Sequence, residues 1–183
     1  MADVRKAIDF MLHQEDSRLA GTVTNAAGDN GGQTRFGLCA KWHPALVTAG
    51  FFDLGMPQSQ ALALAEKTYQ SEYAVPLRLD RISSDAVACG VLSFAVLDGI
   101  GSALRVLRAA LYTCGFNLEV TTAPMDDATF DAEQEVSESQ LVQALVRQQK
   151  LWCEHIAANN PTQQKWIRGW ENRADQVLAL IKA

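Results

Sequence analysis

From Asp85 to Leu97 the chain reads DAVACGVLSFAVL, and no charge follows the first residue. A helix this apolar has no face to give to water, so neighbours must enclose it on most sides. Ser83 or Ser84 can cap its start, and Gly99 and Gly101 punctuate its end. The run from Ala86 to Leu97 is too short to span a bilayer, so it predicts the central helix of a core.

The rest of the chain supplies helices to wrap that rod. Val4, Ile8 and Met11 repeat at helical spacing within Asp3 to Gln14, with Ala7 and Leu12 beside them. Pro57 to Ala74 places Leu62, Ala65, Tyr69 and Tyr73 on one face, and Pro76 ends it. Ser102 to Thr113 turns Leu104, Leu107 and Leu111 inward and Arg105 and Arg108 outward. Ser137 and Gln140 match a capping box before the stripe Leu141, Leu145, Trp152 and Ile156. Asn160, Pro161 and Gln163 start a last helix with Trp166, Trp170, Val177 and Ile181 on its inner face, and Ile167, Ala174 and Leu178 alongside. Short helices are expected at Cys39–Trp42 and Ala45–Ala49.

Two stretches lack this periodicity. Residues 16–35 are polar and glycine-rich, with Thr22-Val23-Thr24 as a short strand and turn chemistry from Gly28 to Gly32. Residues 115–136 are acidic and read as an irregular, solvated connection. The expected class is all-α or α-dominated, with a small irregular or hairpin excursion near the N-terminus.

A net charge of −5 does not point to a nucleic-acid partner. Cys39, Cys89, Cys114 and Cys153 are scattered, with no CxxC pair, and read as thiols rather than a disulfide framework. No metal-ligand spacing, P-loop or dinucleotide fingerprint is present, so no cofactor is expected. Asp9, His13 and Glu15 interrupt the first apolar residues, so they do not form the core of a signal peptide.

Glu15 carries the chemical interest. It takes the next position on the apolar stripe of the first helix, at that helix's end. Partial desolvation and the unpaired carbonyls of a helix C-terminus both disfavour the charged carboxylate. A carboxylic acid that keeps its proton can serve as a general acid. A turn into solvent where the helix frays is the alternative for the same residue. Asp29, in Asp-Asn-Gly-Gly, fits an ordinary Asx-turn, and Thr34 a strand or capping hydroxyl. Gly31 and Gly32 either let backbone approach a ligand or supply positive φ. Tyr69, Tyr73 and Trp42 can stack on a sugar face or pack in the core. Trp170 and His43 read as structural.

Glu15, then DNGGQT (Asp29 to Thr34), then FGL (Phe36 to Leu38), resembles the N-acetylmuramidases of glycoside hydrolase family 108. Those enzymes carry E-G-G followed by D-x-G-G-x-T-x-x-G-I. More loosely, the order resembles the Glu/Asp/Thr arrangement of phage-type lysozymes. Tyr69 and Tyr73, LSFAVLDGIG (Leu92 to Gly101) and GWENR (Gly169 to Arg173) are similar to further family segments. Asp16-Ser17 replaces the usual two glycines, the interval from Glu15 to Asp29 is longer than usual, and Asp98 stands where the family pattern has Asn.

The resemblance implies a lysozyme-like helical domain that hydrolyses the β-1,4 bond between N-acetylmuramic acid and N-acetylglucosamine in peptidoglycan. It implies Glu15 as acid, Asp29 as base or electrostatic partner, and Thr34 as holder of the attacking water. Gly31, Gly32, Tyr69 and Tyr73 become substrate contacts, and glycan strands the partner. It divides the chain into a catalytic region, 1–114, and a C-terminal region, 115–183, similar to a peptidoglycan-binding region. An enzyme made without a signal peptide would reach the wall after holin-type release or dedicated export. A non-catalytic wall-binding or secretion-accessory protein and a helical interaction module are the alternatives.

Overall fold

The computed structural model describes residues 1–25 and 31–181. Its helices are α1 (Val4–Glu15), α2 (Pro44–Thr48), α3 (Gln58–Tyr69), α4 (Asp85–Asp98), α5 (Ile100–Thr113), α6 (Asp127–Glu135), α7 (Glu138–Asn159) and α8 (Ile167–Ala179). A π-helical turn, Gln70–Ala74, continues α3, and a 3-10 turn, Pro161–Trp166, leads into α8. The strands are two residues each, β1 (Thr34–Arg35) and β2 (Leu38–Cys39), paired antiparallel with Thr34 opposite Cys39. The fold is α-dominated, with its small β excursion near the N-terminus.

α4 is the enclosed rod. Every residue from Ala86 to Ala95 is buried, and α1, α5, α7 and α8 pack around it. Each fully buried Val or Leu there contributes roughly 2 kcal/mol of transfer free energy. Ser84 caps α4 by accepting from the Val87 N–H at 3.2 Å. Gly90 sets how closely the C-terminal pair can sit. A Cβ there would lie 2.8 Å from Leu145 Cδ2 and 3.0 Å from Val177 Cγ1. With none, α7 and α8 close on the rod, and Gln149 Nε2 donates to the Gly90 carbonyl at 2.9 Å.

The structure corrects several local expectations. Cys39 to Trp42 is a strand end and a turn, because the Ala40 N–H bonds across to the Gln33 carbonyl at 2.8 Å. The acidic stretch holds a helix, α6, capped by Asp126, which accepts from the Thr129 N–H at 3.0 Å. Its charge did not mean solvation throughout: Glu133 is buried and accepts from the Ser83 N–H at 3.0 Å and hydroxyl at 2.8 Å. Arg108, expected outside, is buried, because residues 121–124 fold back over it. It donates to the carbonyls of Thr121, Ala123 and Pro124. Trp166, expected inside, ends the 3-10 turn and is 53% exposed.

Candidate active site

α1 carries Glu15 to its last turn, where the Asp16 N–H closes the helix on the Leu12 carbonyl at 2.8 Å. The Glu15 side chain is 21% exposed, so it is neither frayed into water nor sealed in the core. Nor is it an isolated carboxyl among apolar groups. Nη1 of Arg173, on α8, donates to its Oε1.

Arg173 is itself held on several sides. Its Nε donates to Ser93 Oγ on α4 at 2.9 Å, and its Nη2 to the Ser93 carbonyl at 3.2 Å. Gln14, next to Glu15, donates to the Arg173 carbonyl at 3.1 Å and accepts from the Ser93 hydroxyl at 2.5 Å. One polar knot thus ties the end of α1, with Glu15, to α4 and α8.

The hairpin turn closes over the other side of Glu15. Gly37 has φ +78°, and a Cβ there would lie 2.5 Å from Glu15 Cγ and 2.8 Å from the Tyr69 hydroxyl. Only glycine lets this backbone reach the acid. Tyr69 fixes the turn from beneath, donating to the Phe36 carbonyl at 2.8 Å. Expected to touch a sugar, Tyr69 is instead fully buried, and that burial, with the charge of Glu15 behind it, pushes its phenol well above the ordinary value. Its place is under the loop.

A cleft of about 220 Å³ opens beside these groups, lined by Glu15, Asp16, Thr22, Thr24, Thr34, Phe36 and Gly37. Thr34 and Glu15 therefore share one opening. Thr34 and Thr24 exchange backbone hydrogen bonds at 2.8 and 2.9 Å, which aligns a row of hydroxyl-bearing residues along the wall. Asp29 lies outside the described residues. Gly31 and Gly32 are half-buried beside the hairpin, and Gly32 has φ +75°. Tyr73 is half-buried, its ring 5.5 Å from that of Tyr69 and 6.4 Å from that of His43. His43 is buried against Glu72, whose Oε2 lies 2.9 Å from Nδ1. Trp42 is 69% exposed, with Lys41 over its ring.

Two further side chains shape the cleft. Asp16 folds the loop that follows α1. Its carboxylate accepts from the N–H groups of Gly21, at 2.7 Å, and Arg18, at 3.3 Å. Burial alone would raise its pKa, yet these backbone donors outweigh it and hold Asp16 below the ordinary aspartate value. Arg35, on β1, is buried and clamps the wall from behind. It donates to the carbonyls of Gly21 (2.7 Å), Phe51 (2.9 Å) and Met56 (3.3 Å). A larger depression, about 330 Å³, lies where α4, α7 and α8 meet and is lined by Asp98, Asn160, Gln163 and Trp170 among others. Among the described residues, no cluster of His, Cys, Asp and Glu is arranged to hold a metal ion.

Residues 10–99 match the family model described as glycosyl hydrolase 108. That segment belongs to glycosyl hydrolase family 108. The family 108 segment contains Glu15, the loop, the hairpin and all of α4, so the chain is a glycoside hydrolase of the peptidoglycan-hydrolysing, lysozyme type. Among solved structures, the chain is similar to SagA of Brucella abortus. The likeness is 16% in sequence, with a TM-score of 0.70, and spans 96% of this chain and 94% of that one. At that identity the likeness is one of fold. No curated protein matches the sequence.

Arg173 lies outside the family 108 segment. In the sequence it stands only as the last residue of GWENR, with nothing local to say that it meets a carboxylate 158 residues away. Gly37 was legible within FGL, but its contact with Glu15 was not.

Proposed function

We propose that this family 108 enzyme cleaves the β-1,4 bond between N-acetylmuramic acid and N-acetylglucosamine, with Glu15 as general acid. The supporting observation is the position of Glu15: part-exposed, on the rim of a hydroxyl-lined cleft, and fixed from both sides by Arg173 and Gly37. A departing glycosidic oxygen needs a proton from a group held within hydrogen-bond reach. Rigid anchorage of the carboxyl favours that geometry, because little reorganisation then remains when substrate arrives. Once the proton has left, the guanidinium faces the carboxylate that remains.

Thr34 shares the cleft with Glu15 and is assigned to water or a sugar hydroxyl. Asp29 is assigned as base or electrostatic partner on the family motif. Thr22, Thr24, Gly31, Gly32 and Tyr73 supply polar and close-approach surface for the glycan. The C-terminal region, 115–183, acts with the catalytic region, 1–114, on the same polymer. The enzyme meets the wall after holin-type release or dedicated export. Among the described residues, no helix is long and apolar enough to cross a membrane.

Digestion of purified peptidoglycan, with mass analysis of the new chain ends, tests the assignment. Reducing N-acetylmuramic acid ends are expected from the parent. Glu15→Gln keeps the shape and removes the proton, and is expected to lower the rate about a hundredfold or more. A Glu15→Gln enzyme as fast as the parent overturns the role of Glu15. Wall binding without new reducing ends in the parent overturns the reaction.

A further inference from the structure

Arg173 bears on which oxygen of Glu15 can carry a proton. A guanidinium has five N–H donors and no acceptor. The oxygen it touches must therefore accept, and cannot itself hold a proton directed at Nη1. Arg173 reaches Oε1, and among the described residues no hydrogen bond to Oε2 occurs. The forked grip of Ser93 on Nε and Nη2 stops the guanidinium from swinging to the other oxygen.

We infer that Arg173 is a positioning residue which confines the acid proton of Glu15 to Oε2 and keeps that oxygen turned to the substrate. This rests on the reading of Glu15 as general acid. The family 108 segment ends at residue 99, so its acid is finished by a side chain of α8. The catalytic and C-terminal regions then form one working site. Loss of α8 disables the chemistry even where the hairpin, Glu15 and Thr34 remain in place.

The test uses the full chain and two substitutions of similar size. Arg173→Lys keeps a donor-only cation beside Oε1. Arg173→Gln is neutral and can rotate its own oxygen towards Glu15, which lets the proton sit on Oε1. Each is compared with the parent for kcat and KM. The other titratable groups around Glu15 are Asp16 in the cleft, Tyr69 and Tyr73 from α3 and its π-helical extension, and Cys39 on β2. All of these stay unchanged in both variants.

Arg173→Gln is expected to lower kcat about tenfold to a hundredfold with little change in KM. Arg173→Lys is expected to recover most of kcat. Equal behaviour of the two variants, or a parent-like Arg173→Gln, overturns the inference. Should Arg173→Gln fail to fold, Ser93→Ala replaces it. That change removes the bond from Nε, leaves Nη2 on the Ser93 carbonyl and keeps the charge, so the guanidinium is held at one point rather than two; kcat should fall, and an unchanged kcat overturns the inference. Glu15→Gln, run in parallel, separates the two ideas: if it is fully active the general-acid reading fails, and if it is inactive while Arg173→Gln is parent-like only the Arg173 inference fails.

Discussion

Three buried or nearly buried arginines do two different jobs in this molecule. Arg35 and Arg108 direct their guanidinium donors at backbone carbonyls, three each. Each holds an irregular stretch against helices that could not otherwise grip it: Arg35 the loop and hairpin, Arg108 the connection before α6. Arg173 spends one arm on a side-chain carboxylate at the edge of a cleft and the rest on Ser93. Carbonyl-bound arginines pin backbone, whereas the carboxylate-bound one pins the side chain proposed as the general acid. The difference predicts that losses at the first two fall on stability and at the third on rate.

The comparison can be broken most sharply at Arg35. Its acceptors at Gly21 and Phe51 sit in buried residues, where water cannot replace the lost donors. Arg35→Met is expected to destabilise the fold by about 3 kcal/mol. Urea unfolding followed by helix signal reads this, and an unchanged midpoint would remove the clamp from the account. Arg108→Met should cost less, about 1 to 2 kcal/mol, because the carbonyls of Ala123 and Pro124 lie on exposed residues and can return to water. Its peptidoglycan-cleaving rate per folded molecule should match the parent, and a lost rate would show that α6 and its connection serve the site directly.

The smallest effect concerns Asp16 and depends on pH. Its folded pKa lies below the unfolded value of 3.8, so its contribution is present above that value and fades as pH falls through the lower folded one. Asp16→Asn should therefore lose most stability relative to the parent near neutral pH. The gap should narrow as the medium becomes more acid than about pH 4. Thermal melts of both proteins across that range measure it, and a gap independent of pH would mean that the Gly21 and Arg18 bonds do not matter.

Features written locally were readable from the sequence. The serine cap and unbroken apolar run gave α4, the capping box gave α7, and Asn160-Pro161 marked the turn into α8. Glu15 on the stripe of α1 was found the same way. What escaped depends on partners far along the chain. α6 is short, and its acidic residues hid a buried side made of Thr129, Phe130, Ala132 and Glu133. Arg108 follows the helical period to an outer face, but that face is covered by a segment with no period of its own. Tyr69 and Tyr73 share one face of a helix, yet only tertiary packing buries the first completely and leaves the second half open. The counter-ion of Glu15 could not be inferred from spacing, since no periodic rule links residues at opposite ends of a chain.

The contact between Glu15 and Arg173 also has a temporal side. A ribosome emits the glutamate 158 residues ahead of the arginine, an interval of roughly ten to thirty seconds at ordinary elongation speeds. Throughout that interval the carboxylate exists without its counter-ion, whatever else of the N-terminal half has already condensed. A cell that translates this enzyme thus completes the pair only once α8 has been made, a built-in delay between the synthesis of the carboxylate and its anchorage.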